Sequence, residues 1–118
     1  MSDVLAKSMT EDQLLTNVLD AARKLGWRSV HFRPAKTEKG WRTAVQGDGK
    51  GFPDLVLANG RRLLFVELKS ERGKPSAEQD IWLAVLRVSG VAGPVQTFIW
   101  RPSNWYSCAI EEVLRDGR

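Results

Sequence analysis

The stretch GFPDLVLANGRRLLFVELKSERGKPSAEQ, residues 51–79, decides the fold of this chain. It contains two short runs rich in Leu, Val and Phe, at residues 54–58 and 62–69, and this composition is typical of β-strands. Between them stands Asn59-Gly60, a dipeptide that favours a two-residue hairpin turn of type I′. The stretch therefore predicts two adjacent antiparallel strands.

The predicted hairpin brings three charged side chains to one face of the sheet. With that turn, Asp54 opposes Phe65, and Glu67 lies diagonal to Asp54 with Cβ atoms somewhat under about 7–8 Å apart. Lys69 follows Glu67 by two residues, so it points to the same face. The opposite face carries apolar residues expected in the core: Leu55, Leu57, Leu64, Val66 and Leu68.

This cluster suits phosphodiester hydrolysis. Two carboxylates, Asp54 and Glu67, can share a hard cation such as Mg²⁺, with the main-chain carbonyl of Leu68 as a further ligand. The Lys69 ammonium can orient the attacking water or stabilise charge in the transition state. The alternative is a plain ion pair at a strand end, with Asp54 as a turn residue. Both Glu67 and Lys69 follow an apolar run, however, where uncompensated charge is costly.

Two helices flank the strands in the sequence. Residues 10–25 have Thr10 and Gln13 at capping-box spacing, and residues 76–89 have Ser76 and Gln79 at the same spacing. In the second helix we expect Trp82, Val85 and Leu86 to face the core.

Glu11 and Gln79 each allow two interpretations. Glu11 stands in a first helical turn, where the macrodipole alone favours an acid, but it also heads the apolar stripe and so faces the expected metal. Gln79 is explained by the capping box, or by a place in the site.

The rest of the chain completes an α/β pattern. Residues 28–33 and 95–100 are predicted strands, the second of them buried, and residues 105–114 a closing short helix. The order predicts one domain, residues 1–118, with a mixed central sheet flanked by helices.

The middle of the chain is basic. Residues 28–74 hold 11 Lys or Arg against 5 Asp or Glu, within a chain of net charge +4. Residues 34–53 show no helical or strand period, and such long loops tend to contact ligands or to be solvated. His31 is either a DNA contact or an ordinary strand residue. The expected phosphate contacts are His31, Arg33, Lys36, Lys39, Arg42, Lys50, Lys74 and Ser76.

Several classes are excluded. No apolar stretch approaches the roughly 20 residues needed to span a bilayer, and the N-terminal residues lack a signal core. The single cysteine, Cys108, excludes an internal disulfide and a cysteine-based zinc site, and we expect a small, partly buried thiol. These features indicate a cytoplasmic protein.

Taken together, GFPDLVL (51–57), LLFVELKSERGKPSAEQ (63–79) and WLAVLRVSG (82–90) resemble the VRR-NUC domain, a branch of the PD-(D/E)XK nucleases. The resemblance extends to TEDQLLTNVLDAARKLGW and HFRPAKTEKGWRT, and so covers nearly the whole chain. It implies a restriction-endonuclease-like core of order α-β-β-β-α-β.

The resemblance also implies roles for individual residues. Asp54 and Glu67 would bind Mg²⁺ or Mn²⁺ with the Leu68 carbonyl, and Lys69 would be the catalytic lysine. Glu11 and Gln79 would lie in the active centre, with Glu11 able to reach the metal directly or through water. Small stand-alone members, often encoded by phages or prophages, resemble Holliday-junction resolvases and act as homodimers on branched DNA. No small-molecule cofactor is implied.

Three functions remain open at this point. The first is a metal-dependent DNA endonuclease acting on branched DNA, with flap cutting or repair as variants. The second is a non-catalytic DNA-binding or assembly subunit on the same fold, since fold alone never establishes activity. The third, a sequence-specific restriction enzyme, is weaker because the chain has no spare module for reading bases.

Overall fold

The structure, a computed structural model, describes residues 2–32, 35–37, 40–42, 47–90 and 93–115 of the 118-residue chain. Its elements in chain order are α1 (Ser2–Ser8), α2 (Glu11–Lys24), β1 (Arg28–His31), β2 (Ala35–Thr37), β3 (Gly40–Arg42), β4 (Leu55–Ala58), β5 (Leu63–Leu68), α3 (Ala77–Ser89), β6 (Val95–Trp100), α4 (Pro102–Tyr106) and α5 (Ala109–Arg115).

The central sheet is mixed, as the sequence predicts. Its strand order is β1-β4-β5-β6, with β1 and β5 antiparallel to β4 and β6 parallel to β5. The parallel pair requires a crossover, and α3 supplies it. The predicted α/β architecture, a mixed sheet flanked by helices, is confirmed.

The hairpin turn lies one residue later than predicted. Ala58 pairs with Leu63, and the Asn59 N–H donates to the Arg62 carbonyl at 3.2 Å, so Gly60 and Arg61 are the central residues. Of these two residues, only Gly60 has a positive φ, +91°, which is the pattern of a type II′ turn and not of type I′. The Asn59 side chain is instead used as an acceptor for the N–H groups of Arg61 and Arg62.

This shift changes the pairing of the two carboxylates. Continued one position beyond the Leu55–Val66 pair, the observed register aligns Asp54 with Glu67, where the predicted register made them diagonal. A turn that lies one residue later shifts each cross-strand pair by two positions. An even shift leaves every side chain on the face of the sheet that was predicted for it. Asp54 and Glu67 therefore remain on the same face of the sheet, at the same end of the hairpin.

The core lies between one face of the sheet and helices α2 and α5. The five residues predicted for this face, Leu55, Leu57, Leu64, Val66 and Leu68, are all buried. Buried residues of α2 and α5 complete the cluster, among them Leu14, Val18, Ile110 and Leu114. Trp27 Nε1 donates a hydrogen bond to the Leu114 carbonyl at 2.9 Å, and this bond holds α5 in place.

Helix α3 packs on the other face of the sheet, and one prediction about it is wrong. Leu83 is its buried residue, whereas Val85 is 51% exposed. Trp82 and Leu86 are partly buried, as expected. The sequence misleads because α3 carries apolar residues on two of its faces.

The periphery also differs from prediction. The expected helix over residues 105–114 is two helices, α4 and α5, because Cys108 between them has φ +68°. Cys108 is exposed, not partly buried. Strand β6 is an edge strand in which Trp100 alone is buried. Helix α1 was not predicted, and it packs against α4.

The segment predicted to be a structureless loop, residues 34–53, contains the paired strands β2 and β3. Their three-residue length explains why no period was visible in the sequence. Within the described residues, no helix is both long enough and apolar enough to cross a membrane.

Candidate active site

Asp54 enters the sheet from a segment that is held tightly against α3. Gly51 has φ +86°, and a Cβ added there would lie 2.5 Å from the carbonyl carbon of Glu78 in α3. Phe52 follows, with its ring centroid 5.8 Å from that of Phe65 and 5.0 Å from that of Trp82. The backbone before Asp54 is thus fixed by a close approach that only glycine permits and by aromatic packing.

Glu67 is the central residue of the site. It is 3% exposed and is the only buried charged residue among those the structure describes. Its Oε2 accepts a hydrogen bond from Gln79 Nε2 at 2.8 Å and lies 3.5 Å from Lys69 Nζ. A buried carboxylate with one amide donor and one ammonium partner is held in a defined orientation.

Gln79 fulfils both roles that the sequence left open. Its Oε1 accepts from the Ser76 N–H at 2.7 Å, while the Gln79 N–H donates to Ser76 Oγ, so the capping box is complete. Its Nε2 is then directed to Glu67. The cap that starts α3 therefore also positions the site carboxylate.

Asp54 is joined to the same strand end. The Leu68 N–H donates to Asp54 Oδ1 at 3.3 Å, which ties the carboxylate to the residue between Glu67 and Lys69. The predicted cluster of Asp54, Glu67 and Lys69 is thus assembled at one end of β5.

Both carboxyl groups resist ionisation. Burial, followed by repulsion from Asp54, raises the pKa of Glu67 from 4.5 to about 7, although Lys69 opposes the shift. Burial raises the pKa of Asp54 from 3.8 to about 6, against the opposing hydrogen bond from Leu68. The single neighbouring ammonium does not offset the negative charge of the pair.

Glu11 lies at the margin of this cluster. It is exposed, and its charge contributes to raising the pKa of both Asp54 and Glu67, so it acts on the site through space. In the described part of the chain, no three His, Cys, Asp or Glu side chains are close enough together to hold a metal ion. Glu11 therefore does not complete a three-carboxylate centre with Asp54 and Glu67.

The donor set nevertheless fits a hard divalent cation. Two carboxylates with raised pKa values are the groups that a nearby 2+ charge stabilises in their ionised form. Mg²⁺ and Mn²⁺ prefer oxygen ligands, and Mg²⁺ is commonly held by one or two carboxylates with waters in the other positions. A pair of carboxylates and a main-chain carbonyl meets that requirement.

The family model of the VRR-NUC domain matches residues 3–96, which include every site residue named above. The chain belongs to the VRR-NUC family. A comparison with curated proteins finds no match. Membership implies a nuclease-type function in DNA processing, and the nucleases of this family generally use divalent metals.

The sequence pattern did not predict one residue that organises this VRR-NUC site. Arg101, directly after β6, donates through Nη1 to the carbonyls of Ser70 at 2.9 Å and of Gly73. Glu71 in the same loop accepts from the Ser103 N–H at 2.9 Å. The loop that follows Lys69 is therefore fixed by the residue that follows the neighbouring strand, β6. No sequence signal marks Arg101, because its partners are main-chain carbonyls some thirty residues away.

The residues predicted to touch DNA are only partly described. Arg33 and Lys39 lie outside the described residues, and Lys36 and Arg42 belong to β2 and β3, whose side chains are likewise outside them.

Four of these residues have described side chains. His31 pairs with Leu55, which places it on the core face of the VRR-NUC sheet, opposite to Asp54 and Glu67. Lys74 is exposed just before α3, and Ser76 caps that helix. Lys50 is exposed and lies 4.0 Å from Glu78.

Proposed function

We propose that this VRR-NUC domain is a Mg²⁺- or Mn²⁺-dependent endonuclease that hydrolyses phosphodiester bonds in branched or structured DNA, in the manner of Holliday-junction resolvases. The observation that carries the proposal is the environment of Glu67. A buried carboxylate directly opposite a second one, with an amide donor and an ammonium beside it, has an energetic cost that a purely structural role does not explain.

In this proposal Asp54 and Glu67 hold the cation, with the Leu68 carbonyl as a further ligand and Glu11 acting through water. When bound, the ion polarises the phosphate and lowers the pKa of the attacking water. The burial of Glu67 supports this assignment, because a shielded carboxylate interacts more strongly with a cation than an exposed one.

Lys69 is the proposed catalytic lysine. Its Nζ is 3.5 Å from Glu67 and its side chain is 17% exposed, so the ammonium is held beside the carboxylates and still reaches solvent. From there it orients the attacking water or stabilises the additional negative charge of the transition state. Gln79 keeps Glu67 in place while this happens.

Basic residues in the middle of the chain, together with the Ser76 hydroxyl, would hold the DNA backbone. Their role is to neutralise phosphates and not to read sequence. The proposed contacts are His31, Arg33, Lys36, Lys39, Arg42, Lys50, Lys74 and Ser76. We further propose that residues 1–118 form one domain, that the protein acts in the cytoplasm, and that it works as a homodimer, since two copies related by a two-fold axis supply one site for each strand.

The proposal is tested by cleavage of a labelled four-way junction beside a flap and a linear duplex, with Mg²⁺, Mn²⁺ or EDTA. We expect paired symmetric cuts in the junction that EDTA abolishes. Lys69→Ala should reduce the rate at least about 100-fold, as loss of a transition-state contact does. The control Lys24→Ala removes a lysine that is 66% exposed and paired with Asp20, and should leave the rate unchanged.

Two results would redirect the proposal. Cleavage of the flap alone would assign the protein to flap processing. Tight junction binding with no cleavage under any condition would make it a non-catalytic binding subunit.

A further inference from the structure

The solvent side of α3 is apolar. Opposite the face that packs on the sheet, Ile81 is 63% exposed, Val85 is 51% exposed and Val88 is 74% exposed. Ala77 and Ala84 are exposed on the same side. We call this set, Ala77, Ile81, Ala84, Val85 and Val88, the outer stripe of α3.

The spacing of the outer stripe matches helix-to-helix packing. Ala77, Ile81, Ala84 and Val88 follow one another at intervals of four, three and four residues, the repeat by which one helix packs along another. A helix that is apolar all round is typically buried, so a second apolar face on α3 indicates a second packing partner. The sheet covers only one face of α3, because Leu83 packs there.

Scattered apolar side chains on a surface are ordinary, but contiguous ones mark interfaces. Five other described large hydrophobic residues are exposed, and they are divided among α1, β1 with the residue after it, and α4: Val4, Leu5, Val30, Phe32 and Tyr106. The outer stripe is different, since its three large residues lie within about two helical turns of one another.

The charges beside the outer stripe indicate what covers it. Asp80 and Arg87 are exposed and stand seven residues apart, so they lie on the same flank of α3. Neither side chain has an ion-pair partner within the residues that the structure describes. On the other flank, Glu78 is already 4.0 Å from Lys50.

This flank is complementary to itself. When two copies of α3 pack antiparallel about a two-fold axis close to Ala84, Asp80 of one copy lies opposite Arg87 of the other, and the reverse pair follows by symmetry. Ala84 at the centre has a small side chain, so the two helices can approach closely. A partner of different sequence would not require this self-complementary arrangement.

We propose that the outer stripe of α3 is the interface between two copies of this chain, packed antiparallel about a two-fold axis. The inference deepens the proposed function, because it assigns the surface of the homodimer on which two-strand cutting rests. It also links assembly to the site, since the capping box at the start of α3 holds Gln79, whose side chain donates to Glu67.

The interface is small. The outer stripe extends about 17 Å at 1.5 Å per residue, on a helix about 10–12 Å wide. This is well below the roughly 800 Å² that each partner contributes to a standard interface, so we expect a weak dimer. Dimerisation should therefore depend on concentration.

The first test is sedimentation equilibrium at concentrations from about 1 to 100 μM, in EDTA and without DNA. We expect a monomer–dimer equilibrium that Val88→Glu weakens at least about tenfold, because it places a charge in the apolar stripe. The matched control is Val4→Glu, whose side chain in α1 is also 74% exposed and which should dimerise like the wild type. A wild type that is monomeric throughout, or a Val88→Glu variant that dimerises normally, overturns the proposal.

The second test addresses the antiparallel arrangement. Asp80→Arg and Arg87→Asp should each weaken the dimer at least about tenfold, because each places like charges opposite one another. The double variant should restore the wild-type equilibrium. If it is no better than the single variants, the two-fold pairing is wrong. Since neither test involves cleavage, their outcome is independent of whether the nuclease proposal holds.

Discussion

Replacing Glu67 by glutamine should stabilise the metal-free protein while it abolishes cleavage. The amide has nearly the shape of the carboxylate, and its oxygen can still accept the hydrogen bond from Gln79. What the substitution removes is a negative charge on a side chain that is 3% exposed and opposite Asp54. Function and stability therefore favour different residues at this position.

The size of the effect follows from the raised pKa. Glu67 titrates near its ordinary 4.5 when unfolded and at about 7 when folded, so the folded state binds the proton more tightly. The stability that this proton provides is fully present below the unfolded pKa and is lost as the pH rises through the folded pKa. At 1.36 kcal/mol per pKa unit the loss has an upper bound of about 3 kcal/mol. Solvent screening and relaxation around the site reduce our expectation to about 1–2 kcal/mol.

The assay is thermal unfolding in EDTA at about pH 8 and again at about pH 5. At the higher pH, Glu67→Gln should raise Tm by about 3–10 °C relative to the wild type. At the lower pH the difference should shrink, because wild-type Glu67 is then protonated. The control Glu111→Gln changes a glutamate that is 53% exposed and paired with Arg115, and should shift stability by less than about 0.5 kcal/mol. A Glu67→Gln variant that is no more stable than wild type at the higher pH would refute the argument.

Three further predictions concern the site and its supports. Mn²⁺ should raise the Tm of the metal-free wild type and have little effect on Glu67→Gln, because an ion that binds only the folded state stabilises it; an unchanged wild-type Tm would contradict the metal assignment. Gly51→Ala should lower the free energy of unfolding by about 2–4 kcal/mol in chemical denaturation, because its Cβ would lie 2.5 Å from the backbone of α3. Gly47→Ala is the control. Gly47 has φ +81° but open space around it, so this variant should lower the free energy of unfolding by about 1–2 kcal/mol. Arg101→Ala should lower the free energy of unfolding by about 1–3 kcal/mol and slow cleavage, because it removes the hydrogen bonds that hold the loop after Lys69. If its stability and cleavage rate equal those of the surface variant Arg115→Ala, Arg101 has no such role.

Local chemistry made several features readable from the sequence. The caps of α2 and α3 follow from Thr10 and Ser76, each with glutamine three residues later, because a capping box involves only neighbouring residues. The alternation of side chains along β4 and β5 predicted which residues face the core and which face the site. This too is a local property, since the strand period of two fixes the face of each side chain. The strand pattern alone therefore placed Asp54, Glu67 and Lys69 together.

Other features required tertiary contacts. The turn is centred on Gly60-Arg61 and not on Asn59-Gly60, because the Asn59 side chain accepts hydrogen bonds from the N–H groups of Arg61 and Arg62. The dipeptide pattern does not distinguish these two arrangements. The sequence could not choose between Leu83 and Val85 as the buried residue of α3, because both lie in an apolar pattern and only the sheet decides which face it covers.

The sequence by itself determined the fold class, the starts of α2 and α3, and the face of the sheet on which Asp54, Glu67 and Lys69 lie. The tertiary structure alone decided that the register aligns Asp54 with Glu67, that Gln79 holds the Glu67 carboxylate in addition to capping α3, and that Arg101 fixes the loop beyond Lys69. The division has one physical reason. Propensity, capping and strand period act over about four residues, whereas register, burial and long-range hydrogen bonds depend on which distant segments pack together.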